Sequence, residues 1–282
     1  MARNLRDMVV IITGASAGIG RSLAADLSAR GAKLVLAARR LDKLEELNRS
    51  LGGEHLILSS DVSVAADCER IISATLQHFG RIDTLVCNAG YAEFYSIAEM
   101  ASDNMRKMFA TNVFGTTDCI RAAVPIMTAQ QPREGYRGQI MIVSSAAARR
   151  GLPYNGAYSA TKAAQLSIAE ALRIELKPFD IAVSCVMPIG TETDFFTSAG
   201  RASGRSIDAP DKPSKRQSVE HVIGCMVRAI EKPRAEVWPS KPTRWGLAMN
   251  GMFPTLGDPV LLKQMRDFQR INAIDGARSN GK

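Results

Sequence analysis

Histidine and paired cysteine, the usual ligands of zinc, are scarce in this sequence of 282 residues. Its three histidines, His55, His78 and His221, lie far apart, and its five cysteines are scattered without a Cys-x-x-Cys pair. Because zinc ligands recur at short spacings, we predict no metal site. An odd number of scattered cysteines favours buried thiols in a reducing compartment over disulfides, so we expect a cytoplasmic protein.

Long hydrophobic runs are also missing. No apolar stretch approaches the ~20 residues that a membrane-spanning helix needs, and the segment before the first apolar run is short and charged. We therefore expect a soluble, unprocessed protein. The formal charge of +8 would attract an anionic partner such as a phosphorylated cofactor. The basic residues form no patch interleaved with aromatics, so we predict no binding of nucleic acid.

Strand-like and helix-like segments alternate along most of the chain. Short β-branched runs without polar alternation predict strands that are buried on both faces of a parallel sheet. Such an alternation predicts a doubly wound α/β fold with its ligand at the carboxyl ends of the strands. The predicted strands span residues 8–12, 33–38, 55–58, 83–87, 139–143, 181–186 and 235–238.

The last part of the chain has a different composition. Residues 194–218 are rich in Gly, Ser, Pro, Lys and Arg, which predicts a long mobile segment. Ser218 is expected to cap the helix that follows it. The extension at 240–282 carries apolar residues, some at helical spacing, and we expect them to be buried within the protein. Alternatively, the tail would lie on a membrane surface, cover a substrate pocket or pack against a second subunit, although we do not favour membrane contact.

A glycine-rich turn separates the first predicted strand from an apolar helix. Gly14 suits the tight turn, Gly18 lets the backbone approach a pyrophosphate, and Gly20 permits close packing of helix on strand. The N–H groups at the start of the helix would bind the anion. The context predicts a dinucleotide cradle that includes Ser16 and Ile19, and the alternative is an ordinary turn.

The second predicted strand ends at Ala38, where dinucleotide sites usually place an acidic residue against the adenosine ribose. Arg39 and Arg40 follow instead. An acid would repel a 2′-phosphate, whereas a guanidinium binds one through paired, charge-assisted hydrogen bonds. We predict NADP(H) over NAD(H), with Arg39 as the main contact and Ser16 as a second donor. Alternatively, both arginines are solvated residues at the start of the next helix.

Two further strand ends carry candidate cofactor contacts. Asp61, followed by Val62, is placed to meet an adenine amino group, unless it caps the next helix, which Ser63 would do equally well. The turn Asn88-Ala89-Gly90 follows the fourth predicted strand. Its Asn and Gly suit a sharp backbone turn beside a ligand.

Tyr158 and Lys162 lie four residues apart in a helix-like segment, so both side chains leave one face. The pKa of a phenol, ~10 when unperturbed, falls beside a fixed positive charge, which would suit proton transfer. The spacing alone also fits a tyrosine at the core edge beside a solvated lysine.

These motifs together resemble the short-chain dehydrogenase/reductase family. The glycine loop, the Asn88-Ala89-Gly90 turn and Tyr158-x-x-x-Lys162 occur in the family's order and spacing, within residues 8–193. The resemblance implies one Rossmann-type domain over residues 1–282, with a doubly wound parallel sheet, helices on both faces and a helical C-terminal extension. Residues 194–218 would then form a lid over the substrate.

The resemblance also implies catalytic partners for Tyr158. The family's serine lies thirteen residues before the tyrosine, which selects Ser145 and leaves Ser144 as a structural neighbour. Asn112 matches the asparagine that completes a proton relay through water, although a local helix kink would also explain an Asn in this apolar helix. Both serines would alternatively satisfy backbone groups at a strand end.

The same resemblance places Pro188 and Thr193 in the nicotinamide pocket. Ile189 stands where the family usually has a glycine, and Thr191 would replace an apolar contact to the carboxamide. The implied function is NADP(H)-dependent hydride transfer between the nicotinamide and a ketone or secondary alcohol. Tyr158 would be the proton donor, and Lys162 would bind the ribose.

The late apolar residues favour a lipid-like or steroid-like substrate. A catalytically silent NADP(H)-binding sensor or scaffold is the alternative function. Because similar proteins form dimers or tetramers through the helices that carry Asn112 and Tyr158, we expect a homodimer or homotetramer.

Overall fold

The computed structural model describes residues 2–206 and 216–279, with side chains described as far as residue 273. Seven parallel strands form one sheet in the order β3-β2-β1-β4-β5-β6-β7. This confirms the doubly wound fold, and the predicted strands agree with the observed ones to within one or two residues. The strands are β1 Val9–Thr13, β2 Lys33–Ala38, β3 Leu56–Ser59, β4 Thr84–Cys87, β5 Gly138–Val143, β6 Ile181–Val186 and β7 Glu236–Val237.

Helices connect the strands and extend the chain beyond the sheet. They are α1 Gly18–Ala29, α2 Leu41–Ser50, α3 Ala65–Phe79, α4 Ser102–Phe109, α5 Gly115–Ala129, α6 Gly156–Glu175, α7 Phe195–Ser203, α8 Val219–Glu231, α9 Lys241–Met252 and α10 Asp258–Ser279. A π-helical turn, Ala110–Phe114, joins α4 to α5 without interruption. The chain therefore turns more widely there, within one continuous helical stretch.

Both faces of the sheet are covered by helices. One apolar cluster joins the sheet to α1, α2 and α8, and its members include Ile12, Leu36, Leu27, Leu44 and Met226. The other joins the opposite face to α3, α5 and α6, and its members include Ile11, Leu85, Ile71, Ile120 and Leu166. Adjacent residues of one strand thus enter opposite clusters, which explains why the strand sequences lack polar alternation.

The strand order reverses between β1 and β4. The loops that leave these two strands diverge there and open a crevice at the carboxyl edge of the sheet. Gly14 follows β1 and Asn88 follows β4, so the glycine loop and the Asn-Ala-Gly turn meet at this point. The fold thereby brings together two motifs that the sequence predicts to contact one ligand.

Two expectations about the last part of the chain need correction. The segment 194–218 begins with a regular helix, α7, in which Ala199 is buried, so its first turns belong to the packed structure. Residues 207–215 of this segment lie outside the described residues. Ser218 does cap α8, because its Oγ accepts a hydrogen bond from the N–H of His221 at 3.3 Å.

The extension is helical, as expected, but α9 is not buried. Trp245, Met249 and Met252 recur at helical spacing on α9 and are exposed, with Trp245 72% accessible. Because all three side chains are exposed, the expectation of burial is wrong for this face of α9. Phe268 on α10 is buried, by contrast. Among the described helices, none is long and apolar enough to cross a membrane.

Candidate active site

Two glycines of the turn between β1 and α1 have no room for a side chain. Gly14 has a φ of +67°, and a Cβ on it would lie 2.9 Å from the Cα of Ala89. A Cβ on Gly20 would lie 2.6 Å from the carbonyl oxygen of Gly14. The residue that precedes α1, Ala17, provides no side-chain cap, and the first turn holds no acid. The first N–H groups of α1 therefore lack a side-chain acceptor, as expected of a site for an anion such as a pyrophosphate.

Asn88 fastens the two loops to each other. Its Nδ2 donates to the carbonyl oxygens of Thr13 at 2.9 Å and Gly14 at 3.4 Å. The Thr13 hydroxyl in turn accepts from the backbone N–H groups of Asn88 and Ala89. The side chain of Asn88 thus shapes the cradle, a role that the sequence did not predict. Contact between this turn and a cofactor stays a prediction.

The candidate contacts of the adenosine phosphate and adenine follow the carboxyl ends of β1, β2 and β3. Arg40 Nη2 donates to Ser16 Oγ at 3.1 Å. Arg39 is 74% exposed, and its Nη1 lies 4.0 Å from Asp61 Oδ2. The structure therefore gathers all four predicted residues, with Arg40 against the glycine loop and Arg39 against the carboxylate. Which of the two arginines dominates stays a prediction.

Asp61 does not cap the helix that follows it, and neither does Ser63. The residue that precedes α3 is Val64, which has no side-chain cap. Asp61 Oδ1 instead accepts from the N–H and hydroxyl of Ser63, and Asp67 Oδ2 accepts from the Asp61 N–H at 2.7 Å. Asp61 and Ser63 precede Val64, the residue at the N-cap position of α3. Their side chains therefore bond within the turn before the helix. Val62 is buried against the start of α5.

Ser145 and Tyr158 lie side by side, as the spacing of thirteen residues implies. Ser145 Oγ accepts from the N–H of Ala147 at 3.1 Å and donates to the Pro188 carbonyl at 3.4 Å. Ser145 also lies close enough to the phenol to lower the pKa of Tyr158. Ser144 turns the other way, because its Oγ donates to the backbone oxygen of Lys162 at 2.8 Å. The two serines therefore have separate surroundings, and Ser145 is the one that faces the phenol.

Burial controls the acidity of the phenol. It raises the pKa of Tyr158 to about 12, and the nearby Ser145 side chain only partly offsets this effect. The expectation that Lys162 lowers this pKa is wrong for the protein alone. The Lys162 ammonium lies 5.5 Å from the centre of the tyrosine ring and bonds elsewhere, so desolvation dominates.

Lys162 is buried without an acid beside it. Its Nζ donates to the backbone oxygen of Val143 at 2.9 Å and to Gln165 Oε1 at 2.8 Å. Burial lowers its pKa from 10.5 to about 8, and the thiol of Cys185 has a smaller, opposing effect. In the part of the chain that the structure describes, Lys162 has no salt bridge to a carboxylate.

Asn112 lies in the π-helical turn, which agrees with the alternative of a local helix kink, and its part in a proton relay stays a prediction. Its side chain bonds to the backbone N–H and carbonyl of Tyr91 and to Thr161 Oγ1, each at 3.0 Å. Its backbone oxygen accepts from Gln165 Nε2 at 2.6 Å. Gln165 therefore lies between Asn112 and Lys162, and the sequence analysis missed it. The spacing of three residues from Lys162 on one helix was the available signal.

The loop after β6 folds back onto the site. The Pro188 carbonyl accepts from the N–H of Ala146 at 2.9 Å, and Thr191 Oγ1 donates to the Ile189 carbonyl at 2.9 Å. Thr193 lies against Gly18, since a Cβ on that glycine would be 3.3 Å from Thr193 Cβ. Ile189 does not adopt a positive φ, so the residue that replaces the family's glycine fits without backbone strain.

Apolar side chains surround Tyr158. The rings of Tyr158 and Phe195 have centres 5.5 Å apart, and Phe196 packs edge-on against Phe195. Tyr154 stacks on Phe268 of α10, with ring centres 4.3 Å apart. All five belong to or pack against one hydrophobic cluster. The phenol thus lies in an apolar region to which α6, α7 and the C-terminal extension contribute.

Comparison with known proteins identifies the family. The sequence model of the family described as "short chain dehydrogenase" matches residues 8–203. The chain therefore belongs to the short-chain dehydrogenase family, as its motifs predict.

Individual relatives resemble the chain over much of its length. It is 38% identical over 199 residues to the Arabidopsis thaliana protein "11-beta-hydroxysteroid dehydrogenase-like 3", covering 69% of this chain and 62% of that protein. It is 32% identical over 241 residues to mouse "Dehydrogenase/reductase SDR family member 7B", covering 83% of this chain and 73% of the relative. The chain thus spans less than two thirds of the plant relative.

A solved structure shares the fold. A short-chain dehydrogenase/reductase from Burkholderia phymatum in complex with NAD superposes with a TM-score of 0.80 at 23% identity. The superposition covers 90% of this chain and 96% of the other. At this identity the likeness establishes the architecture of the sheet and helices.

Proposed function

We propose that the chain is an NADP(H)-dependent oxidoreductase that interconverts a ketone and a secondary alcohol on an apolar, lipid-like or steroid-like substrate. The observation that carries the proposal is the burial of Tyr158 in an apolar cluster, with Ser145 close enough to affect its pKa and Lys162 one helical turn away. A hydroxyl and a phenol that converge in a water-poor region are suited to hold and protonate a carbonyl oxygen.

The crevice between the loops of β1 and β4 would hold the cofactor. The N–H groups at the start of α1 fit its pyrophosphate, and the two arginines after β2 fit a 2′-phosphate. When bound, the nicotinamide supplies or accepts the hydride. The residues proposed to contact the cofactor are Gly14, Ser16, Gly18, Ile19, Gly20, Arg39, Arg40, Asp61, Val62, Asn88, Ala89, Gly90, Tyr158, Lys162, Pro188, Thr191 and Thr193.

In the reduction direction Tyr158 would donate a proton to the carbonyl oxygen while Ser145 binds the same oxygen. With a pKa raised to about 12 by burial, the phenol is protonated at neutral pH and ready to donate. Lys162 would bind the cofactor ribose, and its charge would then stabilise the phenolate that the transfer leaves. Asn112 would belong to the path that returns a proton.

The aromatic side chains around Tyr158 support an apolar substrate. Phe195 and Phe196 come from α7, and Phe268 from α10, so two separate segments bring apolar surface to the phenol. A substrate with a hydrophobic body and one carbonyl would bury that body among these rings. Ketones graded by chain length or ring number would measure this preference.

The proposed homodimer or homotetramer would use the helices that carry Asn112 and Tyr158. Phe114, in the same π-helical turn as Asn112, is 58% exposed, which supports an apolar contact on this face.

Tyr158→Phe tests the proposed chemistry, because it removes the acid and keeps the ring. We expect kcat/KM for NADPH-dependent ketone reduction to fall by about 10²- to 10⁴-fold, the usual contribution of a positioned acid. Binding of NADPH, followed by fluorescence, is expected to change little. Tyr136→Phe, at the opposite edge of the sheet, is the control and is expected to keep full activity.

Activity of Tyr158→Phe near the wild-type level would contradict this mechanism. NADPH binding without oxidation across the whole ketone panel would instead favour a catalytically silent binding module.

A further inference from the structure

Gln165 is a buried polar residue that the proposed chemistry leaves without a role. It is 0% exposed, and both polar ends of its side chain are bonded. Its Oε1 accepts from Lys162 Nζ at 2.8 Å, and its Nε2 donates to the Asn112 carbonyl at 2.6 Å and to Thr116 Oγ1 at 2.9 Å. An amide nitrogen has two N–H donors, so Nε2 has none to spare. Gln165 thus links the lysine directly to the π-helical turn.

The bonds of Lys162 leave one direction for a ligand. An ammonium has three donors, and two of them are directed to Val143 O and Gln165 Oε1. Among the described residues, no acceptor meets the third. The ammonium lies beside Gly90, since a Cβ on that glycine would be 3.5 Å from Nζ. Gly90 belongs to the turn after β4, so the ammonium lies beside the loop that borders the proposed cofactor crevice.

The Gln165 oxygen also affects the charge on Lys162. The titratable groups that face this ammonium are Tyr158 on its own helix and the Cys185 thiol on β6, while β5 and the π-helical turn present neutral groups. Without an adjacent carboxylate, neutral oxygens must stabilise a buried cation. Burial already lowers the pKa of Lys162 to about 8, so losing one of the two acceptors would lower it further.

We propose that Gln165 is a positioning residue that aims the third N–H of Lys162 at the cofactor ribose and keeps the ammonium charged. A protein amide thereby connects Lys162 to the Asn112 carbonyl, in place of the water-mediated link that the family resemblance implies. The inference rests on the proposed function, since it assumes that Lys162 binds a nicotinamide cofactor.

A second buried glutamine provides a matched control. Gln139 is also 0% exposed, its Oε1 accepts from Arg3 Nη1 at 2.8 Å, and its Nε2 donates to Ser184 Oγ and the Ala229 carbonyl. It lies at the opposite edge of the sheet. Gln139→Leu and Gln165→Leu therefore remove the same side chain and the same number of bonds, and only Gln165→Leu changes the site.

The experiment measures NADPH affinity by fluorescence titration from about pH 6 to about pH 10, a range that spans the lysine titration. Gln165→Leu is expected to weaken binding about tenfold at neutral pH and to move the alkaline loss of affinity about one unit lower. Gln165→Glu places a carboxylate beside Nζ and is expected to move this loss to higher pH. Gln139→Leu is expected to lower the melting temperature while both affinity and its pH dependence stay at wild-type values.

Equal behaviour of Gln165→Leu and Gln139→Leu in the binding titration would overturn the proposal and leave Gln165 a structural residue. The proposal would also be overturned if the alkaline loss of NADPH affinity moved in the same direction in Gln165→Leu and Gln165→Glu. If Gln165→Leu does not fold, the proposal is tested by Gln165→Glu alone. A loss of NADPH affinity at higher pH than in the wild type would then support it, and an unchanged or lower pH would overturn it. Because binding is measured without turnover, NADPH binding without ketone reduction would contradict the proposed reaction but not the role of Gln165.

Discussion

The two edges of the parallel sheet each bury a cation against a glutamine. Among the described residues, only the cation at the amino edge also has a carboxylate nearby. There, Arg3 Nη1 bonds Gln139, and Asp83 lies nearby with a buried carboxylate. At the carboxyl edge, Lys162 bonds Gln165 and has no carboxylate partner among the described residues. A buried cation bonded to a glutamine thus occurs in two different electrostatic settings.

The amino edge forms a closed network. Arg3 also donates to the carbonyls of Ile230 and Asp83, and the Asp83 carboxylate accepts from the Val9 N–H at 2.9 Å and pairs with Arg81 at 2.8 Å. Charges of opposite sign lie together at this edge, and the Asp83 carboxylate opposes the lowering of the Arg3 pKa by burial. Removing one partner of such a buried network is expected to destabilise the fold.

The carboxyl edge keeps its charge uncompensated. Burial lowers the pKa of Lys162 to about 8, and the described residues nearby provide only neutral acceptors and a thiol. A buried group held in an unfavourable charge state is typical of a functional site. The comparison shows that a missing acid, more than the presence of a buried cation, distinguishes the site from the structural network.

The largest expected effect is on stability, at the amino edge. Arg3→Met leaves the Gln139 oxygen and two backbone carbonyls without their donor and the nearby Asp83 with less compensation. We expect the free energy of unfolding to fall by about 3 kcal/mol, as for other broken buried pairs. Urea unfolding measures this change, and Arg6→Met, which alters an exposed side chain nearby, is expected to stay within about 0.5 kcal/mol of wild type.

A change in NADPH affinity upon Arg3→Met would contradict the separation of a structural amino edge from a ligand-binding carboxyl edge. Unchanged affinity in a clearly destabilised protein is the expected result.

An effect of similar size concerns the pH dependence of stability at the carboxyl edge. Lys162 releases its proton at about pH 8 in the folded protein and near 10.5 when unfolded. Between these values the unfolded chain binds more protons, so the free energy of unfolding rises with pH, by about 3 kcal/mol in total at ~1.4 kcal/mol per pH unit. Lys162→Met removes this rise. Urea unfolding of both proteins at about pH 7 and about pH 10 measures the difference.

Tyr158 titrates in both proteins, so its opposing effect largely cancels in this comparison. Parallel stability curves for wild type and Lys162→Met would show that Lys162 keeps an ordinary pKa and is not an uncompensated charge.

Much of the fold was predictable because a strand that is buried on both faces of the sheet must be apolar at consecutive positions of the sequence. Ile11 and Ile12 enter opposite clusters, so the strand had to be apolar at consecutive positions. The glycine loop was equally readable, since neither Gly14 nor Gly20 has space for a Cβ. These constraints act residue by residue and therefore appear in the sequence as composition and spacing.

The hydrogen-bond partners of the site residues were harder to predict, because they come from segments that are far apart in the sequence. Gln165 and Asn112 are 53 residues apart, and their bond requires the wide π-helical turn. The pKa of Tyr158 was predicted with the wrong sign, since the sequence shows the nearby lysine but not the depth of burial. The exposure of Trp245 was also missed, because helical spacing shows that a face is apolar and not what covers it.

The smallest effect concerns the exposed cations of the carboxyl edge. Arg39 has only a 4.0 Å contact with Asp61 and is 74% exposed, so it is available to a 2′-phosphate, whereas Arg40 already bonds Ser16. We expect Arg39→Ala to reduce the preference for NADPH over NADH by about tenfold, which corresponds to about 1.4 kcal/mol, and Arg40→Ala to reduce it less. Fluorescence titrations with both cofactors measure the preference, and Arg49→Ala, at the far end of α2, serves as the control.

Equal affinity of the wild type for NADPH and NADH would show that the charge at this edge is not directed at a 2′-phosphate. A larger effect of Arg40→Ala would instead assign the main contact to the arginine that is held by the glycine loop.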